Sequence, residues 1–131
     1  MKRLSTTSAS LLLGLYMGVA QPALSSTVDD LQATYRALGA TTFDATRGEQ
    51  HWFKAWGDRQ CTQCHGQEID QPGKHIKTGK LIEAMAPSVN PQRLSDPDKI
   101  EKWFLRNCRW TMGRVCTPQE KGDLLEWLKE Q

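Results

Sequence analysis

The pentapeptide CTQCH, residues 61–65, organises the reading of this chain. Two cysteines spaced this way lie on one helical turn, so their thiols can form thioethers with the two vinyl groups of a single porphyrin. The next residue then turns its imidazole toward the iron. The motif marks Cys61 and Cys64 as covalent anchors of one haem c and His65 as an axial ligand. A thiol-redox pair would ordinarily open a helix in a βαβ unit, and no segment here shows the period-two alternation of a strand. Zinc would require two further ligands at knuckle-like spacing; Cys108 and Cys116 stand eight apart, and His65 would be left unexplained.

Working outward, the N-terminus has Lys2 and Arg3, then the apolar run LLLGLYMGVA (11–20), then small residues around Ala23-Leu24-Ser25. That layout predicts a secretory signal peptide over 1–25 rather than a membrane span, and one small domain over 26–131. Export implies the periplasm, an oxidising compartment in which free thiols do not persist unused. Lys2 and Arg3 account for the +2 net charge, leaving 15 Lys+Arg against 15 Asp+Glu in the mature part. Such a balance gives no reason to expect nucleic acid or an anionic membrane as partner. A domain this small has limited apolar surface to bury, and a porphyrin at its centre would supply a large apolar plate.

The periodicity predicts an all-α fold of short helices and long loops. A first helix is expected with Thr27 as N-cap and with Val28, Leu31, Tyr35 and Leu38 at helical spacing, stopped by Gly39. A second spans about Asp44 to Trp56, carrying Trp52, Phe53 and Trp56 on one side; Gly48 inside it suggests close helix–helix approach. Residues 66–95 read as a wrapping loop rich in Gly, Pro, Ser and Asn. Ser95-Asp96-Pro97 starts a helix with Ile100, Trp103 and Phe104 as apolar positions. The last helix has Thr117 as N-cap, Pro118 at its first position and Glu120 closing a capping box, with Leu124, Leu125, Trp127 and Leu128 on its core face.

Residues offering a second axial ligand are Met85, Met112, His75 and Asn107. A loop methionine is usual in electron-transfer cytochromes c, and Met85 ahead of Ala86-Pro87 fits that picture. Met85 and Met112 also read as pocket lining, and His75, amid lysines, as a solvated loop residue. Asn107 stands seven residues after Ile100, four after Trp103 and three after Phe104, on their stripe. An inward amide there must find a partner, either a backbone group or the iron, since an unpartnered buried amide costs about 1–3 kcal/mol. Trp103, Phe104 and Trp110 read as pocket wall and core. Arg106, Arg109 and Arg114 read as a solvated surface, with haem propionates or an acidic partner face as the alternative.

CTQCHG (61–66), TGKLIEAMAPSVNP (78–91) and KWFLRNCRWTMGRVCTPQEKGDLLEWL (102–128) together resemble the sphaeroides haem protein family of oxygen-binding monohaem cytochromes c. The resemblance runs from about Asp44 to the end. It implies a small class I cytochrome c-like fold around one haem, iron held by His65 and Asn107, a disulfide between Cys108 and Cys116, and an oxygen-binding role. It also implies a dihaem cytochrome c as electron donor. An amide oxygen is a weak, hard donor, suited to ferric and poorly suited to ferrous iron. Reduction would then free the site for O2, NO or CO, whereas a methionine ligand would make a closed electron carrier. No general acid–base constellation assigns turnover of bound oxygen.

Overall fold

The computed structural model describes residues 24–131. The predicted signal peptide lies outside them apart from its last two residues. Five helices and one minimal hairpin follow in order: α1 (Leu24–Ala37), α2 (Ala45–Phe53), α3 (Thr62–His65), β1 (Gly73–Lys74), β2 (Leu81–Ile82), α4 (Pro97–Met112) and α5 (Pro118–Leu128). The all-α class expected from periodicity holds, with one correction: β1 and β2 pair antiparallel, Gly73 with Ile82 and Lys74 with Leu81. Strands two residues long cannot display an alternating pattern.

Helix ends follow local chemistry where that chemistry is strong. Thr117 accepts from the Glu120 backbone N–H while the Glu120 carboxylate accepts from the Thr117 N–H, so the capping box of α5 is complete. Asp96 caps α4 by accepting from the Lys99 N–H, and Pro97 begins it. Two expectations are corrected. α1 starts before Thr27, at Leu24, so Thr27 lies inside the helix. α2 ends at Phe53 because Lys54 is extended (ψ 133°), and Trp56 instead bridges to Arg59.

The core gathers Val28, Leu31 and Tyr35 of α1, Phe43, Trp52 of α2, and Leu124, Leu125, Trp127 and Leu128 of α5. Leu38, past the end of α1, is exposed. α2 and α5 approach so closely that a Cβ on Gly48 would fall 2.1 Å from the Asp123 carbonyl oxygen, which is the reason for a glycine inside α2. Asp123, buried at 4% exposure, ties the pair together. It accepts from the Asp44 N–H (2.9 Å), from Arg47 Nε and Nη2 (2.9 Å each) and from Gln119 Nε2 (3.0 Å). This buried polar hub fixes α2, and with it Trp52, against α5.

Candidate haem site

Cys61 and the short helix α3 border an open-mouthed, largely apolar cleft. Cys61, Cys64 and His65 all line it, so the three residues of the attachment motif come together as predicted. The hairpin holds this segment from behind: a Cβ on Gly73 would meet the Cys64 carbonyl oxygen at 2.1 Å and the His65 Cα at 2.7 Å. The His65 ring packs on Trp52, with centroids 5.1 Å apart. Burial, and secondarily the charge of Arg93, pushes the His65 imidazole down to about 4. It is therefore held neutral, the form that donates a lone pair to a metal. Its Nδ1 is buried without a partner among the described residues.

Burial likewise pushes the Cys61 thiol up to about 11. A redox cysteine needs its thiolate, so this site opposes thiol exchange; a thioether carries no charge and suits the burial. Among the described cysteines only Cys61 and Cys64 are free. Cys108 and Cys116 are joined in a disulfide, so the four cysteines cannot form a zinc site. His51, Cys116 and Glu120 also approach one another within 4.8 Å. The Cys116 sulfur is spent in the disulfide, and the Glu120 carboxylate is bound by Arg114 and by the Thr117 N–H. That trio makes no metal site.

The other walls are Ile100, Trp103, Phe104 and Asn107 from α4 and Leu125 and Leu128 from α5. Asn107 lies, as its helical register predicts, on the stripe of Ile100, Trp103 and Phe104. Its expected burial is corrected: Asn107 is exposed, and so is Trp103 at 49%, because this stripe faces the cleft instead of packed protein. No described residue forms a hydrogen bond with the Asn107 amide. α4 continues five residues past it to Met112 and closes at Gly113, whose N–H bonds to the Arg109 carbonyl. The Cys108–Cys116 disulfide clamps the turn after Asn107 to the N-terminus of α5. Met85 and Met112 also line the cleft. His75 does not; it sits exposed in the hairpin loop, its Nδ1 accepting from the Lys77 and Thr78 N–H groups.

An apolar slot with two cysteines and a neutral histidine at its floor, walled by exposed aromatic faces, fits a covalently held porphyrin. Large exposed apolar faces are otherwise rare on a small soluble domain. Three arginines weighed from sequence as propionate contacts are engaged elsewhere or open to solvent. Arg114 pairs with Glu120, Arg106 stacks over Trp103 and Arg109 is exposed. Arg93, which sequence reasoning passed over, lines the cleft instead.

Comparison with known proteins agrees with this geometry. Residues 38–128 match a family model described as a domain of unknown function, DUF1924. Cytochrome c-type protein SHP of Cereibacter sphaeroides is 39% identical over 120 residues, covering 86% of this chain and 92% of that protein. A structure of oxidised SHP, described as an oxygen-binding cytochrome c, superposes with a TM-score of 0.72 at 40% identity, over 79% of this chain and 96% of that one. A solution structure of cytochrome c'' from Methylophilus methylotrophus, described as giving insight into haem-ligand detachment, reaches 0.66 at 28% identity over 82% and 93% of the two chains. The chain belongs to the SHP family of c-type cytochromes, and its cofactor is haem c.

Proposed function

We propose that this is a periplasmic electron-accepting cytochrome in which Asn107 holds the second axial position when oxidised and leaves it on reduction, admitting O2 or another diatomic ligand. The observation that carries this reading is an amide with no hydrogen-bond partner among the described residues, projecting from α4 into the cleft that His65 enters from α3. Haem c, when bound, supplies a one-electron iron centre with two axial positions.

Cys61 and Cys64 anchor it, His65 donates its neutral imidazole, and Trp52 keeps that ring in place. Asn107 offers a hard carbonyl oxygen, which favours the oxidised metal. Once withdrawn, its NH2 group can donate a hydrogen bond to a guest molecule. Trp103, Phe104 and Ile100 exclude water from the same space. The relatives support the reading, since SHP is described as oxygen binding and cytochrome c'' by its haem-ligand detachment. The leader pattern at residues 1–25 supports export. No described helix is long and apolar enough to cross a membrane. Our candidate electron donor is a dihaem cytochrome c.

A second reading, a closed His/Met electron carrier, draws on Met85 and Met112 lining the same cleft. Replacement of Asn107 by Ala separates the two. The first reading expects the ferric spectrum of Asn107→Ala to turn high-spin, with CO binding retained after reduction. An unchanged low-spin ferric spectrum, or a far-red sulfur charge-transfer band in the parent protein, would transfer the role to a methionine.

A further inference from the structure

Arg93 is a cation built into the wall of the haem cleft, and nothing in the SHP-family assignment or in the axial-ligand reading uses it. Its Nε donates to the Ala84 carbonyl (2.8 Å) and its Nη2 to the Glu83 carbonyl (2.5 Å), while Asn90 Nδ2 donates to the same Ala84 oxygen (3.1 Å). Those bonds hold the guanidinium rigidly and leave Nη1 without a described acceptor. The next residue, Leu94, is buried in the left-handed region at φ 58°. A branched side chain adopts that backbone only at an energetic cost, so the turn carrying Arg93 is held by its surroundings.

Among the described residues Arg93 takes part in no ion pair. Burial pushes its ionisation down, although the neighbouring Glu83 opposes this. A half-buried guanidinium with a free donor and no paired carboxylate is costly unless an anion meets it. Lys99, the other cation lining the cleft, already faces Asp96 at 3.6 Å. A haem presents two propionate carboxylates, and a guanidinium recognises a carboxylate through strong charge-assisted bonds.

We propose that Arg93 binds a propionate carboxylate of haem c through Nη1 and, by compensating that charge, holds the reduction potential up. The proposal requires haem in the cleft and is independent of which residue takes the second axial position. Removing the cation leaves the propionate charge uncompensated, which favours the more positive oxidised centre.

The test uses the full-length holoprotein with Arg93→Gln and Arg93→Lys. The reduced-to-oxidised ratio at a fixed potential should fall on the order of tenfold in Arg93→Gln, equivalent to ~59 mV for a one-electron couple. The propionate bending band in resonance Raman spectra should shift, and Arg93→Lys should recover most of the potential. A role confined to tying the loop would lower thermal stability and leave both readouts unchanged. An Arg93→Gln holoprotein with wild-type potential and propionate band therefore overturns the proposal. Should Arg93→Gln fail to accumulate, a crystal structure of the wild-type holoprotein decides: Arg93 Nη1 within hydrogen-bond distance of a propionate oxygen supports the proposal, and a propionate pair bound only by other groups refutes it. Because neither readout concerns Asn107, failure here would leave the axial-ligand reading standing.

Discussion

Replacing Gly48 by Ala sets two effects of opposite sign against each other. In an exposed helix interior the change would stabilise by about 1 kcal/mol, through backbone entropy alone. Here the new Cβ would lie 2.1 Å from the Asp123 carbonyl oxygen, 2.7 Å from its carbonyl carbon and 2.8 Å from Trp127 Cβ. An ordinary contact needs roughly 3.4 Å or more, so α2 and α5 would have to separate by about 1 Å; the atoms struck are mainly backbone and cannot swing aside. Overpacking of this kind costs typically 1–3 kcal/mol, and the separation also stretches the bonds from Asp44 and Arg47 to Asp123, worth about 1 kcal/mol or more each. The clash wins, with a net loss of roughly 2 kcal/mol and a fall in Tm of about 8–15 °C for a domain near this size. Reversible thermal unfolding of the holoprotein, followed by far-UV circular dichroism and by the haem absorbance, measures it. Thr46→Ala, exposed on the same helix, is the control and should gain a few tenths of a kcal/mol. A Gly48→Ala protein at least as stable as its parent would refute the argument that close approach requires the glycine.

Asp123→Ala strips four hydrogen bonds from a buried carboxylate and orphans the Asp44 N–H, for an expected loss of roughly 2–4 kcal/mol in denaturant unfolding with m unchanged. The Arg114 side-chain hydrogen bond holds the Glu120 carboxyl down at about 2, below its ordinary 4.5. A depressed acid contributes stability that is present above the unfolded value and lost as pH falls, so the stability gap between wild type and Glu120→Gln should close between about pH 4.5 and 2. Opening the disulfide with Cys108→Ser/Cys116→Ser releases a loop of sequence separation 8, which the chain-entropy model values at ~2.5 kcal/mol. The same variant should broaden the ferric haem spectrum by loosening the turn beside Asn107, and an unaltered spectrum would show that the staple does not position that residue.

What the sequence disclosed, and what it withheld, follows the range of the interactions involved. The capping box of α5 was readable because Thr117 and Glu120 are three residues apart and satisfy each other. The attachment motif was readable for the same reason. Gly48 announced itself as a helix breaker kept inside a helix, although the atom it yields to, the Asp123 carbonyl oxygen, belongs to another helix. Asp123 itself gave no sign, since Asp44 and Arg47 lie more than seventy residues before it and a carboxylate on an amphipathic helix reads as solvated. The overextended α2 has a similar cause: Trp56 continues the apolar period, but a two-residue bridge to Arg59 captures it.

At the haem cleft the same distinction governs which residues can be assigned. Cys61, Cys64 and His65 are bound by covalent spacing rules, which a sequence displays directly. A second axial ligand obeys no spacing rule; it is any donor that the fold brings to the other wall, and the cleft offers Asn107, Met85 and Met112 together. Helical register put Asn107 on the aromatic stripe but left its partner open between a backbone group and the iron, and only the family resemblance singled it out as a ligand. Register also mistook its surroundings, because a stripe facing a cofactor and a stripe facing a protein core have the same periodicity. Arg93 lay further out of reach, in a loop without a period or a motif. Only its two carbonyl anchors and the left-handed residue after it distinguish it from the surface arginines, and those are properties of the folded chain. The chemistry of such a site is thus carried partly by motif and partly by placement, and it is the placed residues, Asn107 and Arg93, whose substitution should change ligand binding and potential while leaving the haem attached.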